Sequence, residues 1–256
     1  MKLLNTPAEM LNIMSELGRK KAHLHPSKTR ALAMMAGIFI ALGAAASTTI
    51  YAVMDHSPMA PFLGALVFSI GIVSTLLAGA ELFTGNILVI VAFLDRKVSI
   101  GSMLLNWSRV FLWNLLGALF FMSLTYYTAN DTTFSQILVE TAEKKVNLQF
   151  MEAILLGFLC NLVVCLSVWT ALAANDALGK FVLSAFAVLI FVLLKYEHVV
   201  ANMFYIPYGY LSGANFSIGK ALLSSFVPVT IGNILGGLFL GTIYHLAYRE
   251  KPQFNK

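Results

Sequence analysis

The chain has 256 residues, of which 59% are hydrophobic and only 11% charged, with a formal net charge of +5 and a mean hydropathy of +0.80. One soluble core could not hide so much apolar surface, which excludes an ordinary water-soluble domain and places the chain in a bilayer. The positive charge reads as an orientation signal and an attraction to anionic headgroups, not as a nucleic-acid surface.

Residues 1–28 predict a separate element. Thr6-Pro7-Ala8-Glu9 has the form of a capping box with proline at the first helical position, and Leu11, Met14 and Leu17 fall on one face. A short amphipathic helix is expected, lying along the inner interface or against a loop. It lacks the uninterrupted apolar run of a signal peptide.

Six apolar stretches long enough to span a membrane come next, at 29–53, 61–94, 101–128, 149–174, 180–211 and 220–248. Period-two alternation is missing, so the spans predict helices and not barrel strands. With the N-terminus inside, the cytoplasmic positions hold Lys2, Arg19, Lys20, Lys21, Lys28, Arg30, Arg96, Lys97, Lys180, Arg249, Lys251 and Lys256. The outside loops hold only Lys144, Lys145 and Lys220, while Arg109 and Lys195 fall within spans. This asymmetry predicts that both termini, including the tail 249–256, are cytoplasmic.

The second and fifth spans carry matching polar interruptions, Glu81-Leu82-Phe83-Thr84-Gly85-Asn86 and Glu197-His198-Val199-Val200-Ala201-Asn202. Ionisable groups at membrane depth are tolerated mainly where they face protein or a water-filled path. Helix breaks are expected at Gly85 and Asn86 and at Ala201 and Asn202. Each restart would direct free N–H groups and a positive dipole end toward a central gap that favours a small anion.

The third and sixth spans share Asn114-Leu115-Leu116-Gly117-Ala118-Leu119-Phe120 and Asn233-Ile234-Leu235-Gly236-Gly237-Leu238-Phe239. Fainter matches join the first span to the fourth: Ala33, Gly37, Leu42 and Ser47 lie 120 positions before Ala153, Gly157, Leu162 and Ser167. The halves 29–128 and 149–248 therefore form a repeat. An odd number of crossings in each makes them inverted, with a path at their interface.

The two cysteines, Cys160 and Cys165, are five apart on different faces of one span, which suits packing and neither a disulfide nor a metal site. Signatures of metalloenzymes, serine hydrolases and nucleotide-driven pumps are missing, and no cofactor, metal or nucleic acid is implied. An intramembrane enzyme built on Ser212-Gly213 and His198 lacks a nucleophile motif. A neutral-solute pore of the aquaporin kind would carry Asn-Pro-Ala at both breaks, and this chain does not.

Glu81 to Asn86, Leu159 to Trp169, Glu197 to Met203 with Ile206-Pro207, and Val229 to Gly237 together resemble the formate/nitrite transporter family, most closely its hydrosulfide channel branch. The resemblance covers all six spans. It implies an aquaporin-like all-α fold with broken second and fifth helices, a homopentamer in the bacterial cytoplasmic membrane, and one pore per protomer for small monovalent anions or their acids. By the same resemblance His198 is the central pore histidine, Thr84 the threonine of the first break, Asn161 a polar pore residue and Lys145 a lysine near the outer mouth. Apolar constrictions fall on Phe68 and Phe191 outward and on Ile72, Leu82, Phe83 and Val164 inward. Glu197 is the acid beside the histidine, expected to support packing.

The chemistry suits these residue types. A bare anion crossing an apolar ring loses its hydration at great cost, so it crosses more easily as the neutral acid, with His198 supplying the proton and Thr84 and Asn161 hydrogen bonds. Lys195 departs from the family pattern. Three residues before His198, it would share a helical face with it and act on the same path.

Overall fold

A computed structural model describes residues 4–54, 57–129 and 131–249 of the chain. Lys2, Lys251, Lys256 and the tail from 250 onward lie outside the described residues. Among those residues the fold is all-helical: α1 (Pro7–Ala22), α2 (Pro26–Met54), α3 (Ala60–Leu77), α4 (Phe83–Leu94), α5 (Ile100–Thr128), α6 (132–146), α7 (Phe150–Ala171), α8 (Ala177–Leu193), α9 (Val199–Leu211) and α10 (Ile218–Tyr248).

Five of these, α2, α3, α5, α7 and α10, are long and apolar enough to cross a membrane by length and composition. The stretch expected as one fifth span is split into α8 of 17 residues and α9 of 13. The second expected span is likewise split into α3 and α4. Helix α6 is an addition, because Lys144 and Lys145 were expected in a loop. Asp131 caps it by accepting the Thr133 N–H, and Phe134, Leu138, Ala142 and Val146 bury one stripe at four-residue spacing.

Helix α1 forms as its sequence requires. Thr6 Oγ1 accepts the Glu9 N–H while Glu9 returns to the Thr6 N–H at 2.8 Å. Met10, Leu11, Met14 and Ser15 are buried against the following elements, and Asn5 docks on the 172–175 loop through Ala173 and Leu172 carbonyls. On its other side, Ser15 and His245 hydrogen-bond the Asp95 carboxylate, Arg249 forms an ion pair with it, and Arg249 also reaches Asn12. Burial alone would push the Asp95 carboxyl up, but the hydrogen bonds from Ser15 and His245 and the Arg249 charge win and hold it below the usual range.

The long helices pair through glycines. Helix α5 lies on α2, and α10 on α7. A Cβ on Gly117 would sit 2.0 Å from the Met34 carbonyl oxygen, and one on Gly37 would sit 2.1 Å from that of Asn114. Gly232 and Gly236 make equally close approaches to the Ile154 and Phe158 carbonyls, each at 2.2 Å. Small residues let backbones touch where water-driven association is unavailable.

Among the described residues four adopt positive φ, and all four end helical segments: Gly79 (80°), Arg96 (58°), Lys195 (57°) and Gly213 (100°). In each case the next N–H bonds back five residues, Ala80 to Thr75, Lys97 to Ala92, Tyr196 to Phe191 and Ala214 to Gly209. That is the Schellman closure, for which glycine is the unstrained choice. Gly79 corresponds to Lys195 and Arg96 to Gly213, so each half places one basic residue in a conformation that costs on the order of 1 kcal/mol.

Two outcomes are expected for the fold. Gly117→Ala has no room between two backbones and should lower the melting temperature of the detergent-solubilised protein, with a loss of about 1–3 kcal/mol. Asp95→Asn should expose α1 to limited proteolysis at neutral pH. In the parent, a carboxyl with a depressed pKa stabilises above its unfolded value, so the same exposure should arise only as pH falls through the folded pKa, below the usual carboxylate range.

Candidate functional site

Two unwound stretches, 78–82 between α3 and α4 and 194–198 between α8 and α9, define the site. Backbone groups there have no helical partners, so the neighbouring long helices provide them. Asn114 of α5 donates to the Ala33 and Glu81 carbonyls at 2.7 and 2.9 Å and accepts the Phe83 N–H at 2.8 Å. Asn233 of α10 repeats the pattern, donating to the Gly157 and Glu197 carbonyls at 2.8 and 2.9 Å and accepting the Val199 N–H at 3.0 Å. Even the acids' own amides correspond, Glu81 N–H donating to Leu32 O and Glu197 N–H to Leu156 O.

The carboxylates are buried, Glu81 at 6% exposure and Glu197 at 5%. Lys21 pairs with Glu81 at 2.8 Å and also donates to Asn86, whose amide bonds the second Glu81 oxygen and Asn106. Lys145 pairs with Glu197 at 2.9 Å, and Asn202 bonds the second Glu197 oxygen and Ser225. Lys145 therefore stands on helix α6, bound to Glu197 and lying over the Tyr205 ring. Sequence reasoning assigned Lys21 only to orientation and gave Asn114 and Asn233 no role beyond their repeat. That repeat was the available signal.

The first turns of α4 and α9 meet at the centre. Thr84 Oγ1 lies 2.9 Å from His198 Nε2, both groups being buried. His198 is the N-cap of α9, and its Nδ1 accepts the Ala201 N–H at 3.2 Å. An acceptor Nδ1 places the ring proton on Nε2, so the neutral imidazole donates to Thr84. Phe191 stacks on the His198 ring at 5.9 Å and meets Phe68 edge-on at 5.9 Å. Ile72, Leu82, Phe83 and Val164 are also buried, and Phe83 packs edge-on against Phe111 at 5.0 Å. Asn161 donates to the Thr84 and Asn233 carbonyls at 3.2 and 2.6 Å, tying the first interruption to α10.

Three expectations are corrected. Gly85 and Asn86 lie inside the first turn of α4, and Ala201 and Asn202 inside α9. The turns fall earlier in the chain, at Gly79 and Lys195, which take the left-handed conformation that closes these two helices, whereas Gly85 does not adopt it. The leading N–H groups are not all free, since Phe83, Val199 and Ala201 donate to Asn114, Asn233 and His198. Lys195 is exposed, and no helix joins it to His198, so the shared-face argument fails.

Removing one support should disturb the site more than any apolar ring. Asn233→Leu strands the Val199 N–H and the Glu197 carbonyl, each at about 1–3 kcal/mol, and Lys145→Met leaves the Glu197 carboxylate unpaired at about 3–5 kcal/mol. Both should lower the melting temperature measured in detergent by more than Lys144→Met, whose pairing with Glu140 is exposed.

Comparison with known proteins matches this architecture. The family model described as formate/nitrite transporter matches residues 8–247. The formate channel FocA of Escherichia coli (strain K12) is 35% identical, with 94% of each chain covered. A solved structure titled FNT family ion channel superposes with a TM-score of 0.85 at 28% identity, covering 93% of this chain and 98% of the other. Another, titled pentameric formate channel with formate bound, gives 0.79 at 29% identity, covering 90% and 98%. With the match spanning both interruptions and every long helix, the chain belongs to the formate/nitrite transporter family.

Proposed function

We propose that the chain is a multi-pass membrane channel for small monovalent anions, without chemical change to the solute. The observation that carries this reading is the Thr84–His198 contact at 2.9 Å, where the two interrupted segments meet. The halves 29–128 and 149–248 are read as inverted repeats in a six-span channel domain. Residues 1–28 and the tail then lie in the cytoplasm, as the charge asymmetry suggests. Homopentameric assembly in the bacterial cytoplasmic membrane is supported by the relative whose title names a pentamer.

The path is proposed to run past Phe68 and Phe191 on one side of His198 and past Ile72, Leu82, Phe83 and Val164 on the other. At rest the neutral imidazole donates its Nε2–H hydrogen bond to Thr84 Oγ1, leaving the threonine hydroxyl free to donate to an arriving anion. An approaching negative charge favours the imidazolium, charged by a proton from bulk water; its Nε2 proton moves to Thr84 Oγ1 as the threonine hydroxyl proton moves to the anion, which leaves a neutral ring and lets the solute cross the apolar rings as its acid. Charging requires Nδ1 to accept a proton and release the Ala201 N–H, which couples ring protonation to the first turn of α9. Asn161 supports this centre through backbone ties, and Lys145 holds Glu197.

The motif resemblance favours hydrosulfide, whereas the relatives carry formate in their names. Formate or nitrite moving as a proton-coupled carrier's substrate is the second reading, which the same histidine serves. Uptake of hydrosulfide, formate and nitrite into liposomes holding the purified protein, measured across pH, distinguishes them. His198→Asn should flatten the pH dependence of flux, and Thr84→Val should lower flux about tenfold through the loss of one hydrogen bond. An unaltered pH profile in the histidine variant would remove the relay.

A further inference from the structure

Where α1 ends, near the start of α5, a cleft of about 560 Å³ is lined by His23, Arg96 and Lys97 together with the apolar Phe93 and Leu94. Two acids beside it are already engaged, Glu16 by Lys97 at 2.6 Å and by Arg19 at 3.0 Å, and Asp95 by Ser15, His245 and Arg249. Arg96 is exposed and makes no ion pair among the described residues. Ile100, Leu104 and Leu105 stand exposed in the first two turns of α5 beside it. A cationic hollow therefore adjoins an uncovered apolar helix face on the side that charge distribution assigns to the cytoplasm.

Arg96 carries the argument further. It holds a left-handed conformation at a helix end where the other half of the chain uses Gly213. The corresponding turn is satisfied by glycine, so the closure does not require an arginine, and its charge, placed on the inner side by the asymmetry of the loops, is available to a ligand. Guanidinium groups suit phosphate oxygens in a bidentate fork, while Phe93, Leu94, Ile100 and Leu104 suit an acyl chain.

We propose that this cleft binds the phosphate of an anionic phospholipid, with Arg96 as its principal donor and the acyl chains along α5. Because His23 caps α1, occupancy joins the N-terminal helix to the membrane surface. The site is independent of the His198 centre and of the solute carried.

The test is native mass spectrometry of the full-length protein in detergent, titrated with phosphatidylglycerol, phosphatidylcholine or inorganic phosphate. Phosphatidylglycerol should bind in excess of phosphatidylcholine, and Arg96→Gly should weaken that excess at least about fivefold. This variant relieves the backbone strain, so its melting temperature should equal or exceed the parent's, and weakened binding then cannot come from unfolding. Lys180→Gln, a basic residue outside the cleft, should leave binding unchanged. Retention of the phosphatidylglycerol excess in Arg96→Gly would overturn the proposal. Displacement of the lipid by millimolar inorganic phosphate would overturn the lipid as occupant.

Discussion

An opened backbone inside an apolar protein must have every N–H and C=O met by something other than water. Asn114 and Asn233 meet the central part of that demand, each with one amide serving the glutamate carbonyl of an interruption, the first N–H of the helix that follows it and a carbonyl of the neighbouring long helix. The rest of the site depends on them, because a helix that stops and restarts can aim its first turn inward only if the preceding residues are held. Their own placement depends in turn on Gly37 and Gly117, and on Gly157 and Gly236, which let the long helices come close enough for side-chain amides to reach backbone.

Charge is handled by the same economy. Each buried glutamate takes one lysine and one asparagine, and the lysines come from α1 and α6, the helices flanking the spans. The pairing is unequal in one respect: Asn86 Oδ1 accepts from Lys21, while Asn202 Oδ1 is buried without a hydrogen-bond partner. Lys145, which resemblance alone would place free at a pore mouth, is structurally committed to Glu197.

Much of this was legible in the residues. Composition and span length fixed the helical membrane class, Thr6 to Glu9 announced α1, and the repeat of Asn114 and Asn233 marked the two positions on which the interruptions hang. Helix α6 was missed although Asp131 and the buried stripe from Phe134 to Val146 display its cap and period, because a short, charged connection between two apolar spans reads as a loop. The position of the breaks was misread for a different reason. A lysine gives no sign of left-handed geometry, and only the correspondence of Lys195 with Gly79 reveals it. The Thr84–His198 contact joins residues 114 positions apart, so its distance could come only from the fold.

The start of α10 contains a π-helical turn over Leu222–Phe226. From the capping Ser99 to Asn106 is 106 − 99 = 7 positions, whereas from the capping Ser217 to Ser225 is 225 − 217 = 8, and Asn106 and Ser225 bond the corresponding Asn86 and Asn202. A wide turn is how a helix absorbs one surplus residue without rotating the turns beyond it. Ser225 and Asn233 thus keep the same aim as Asn106 and Asn114 despite an added link in the chain.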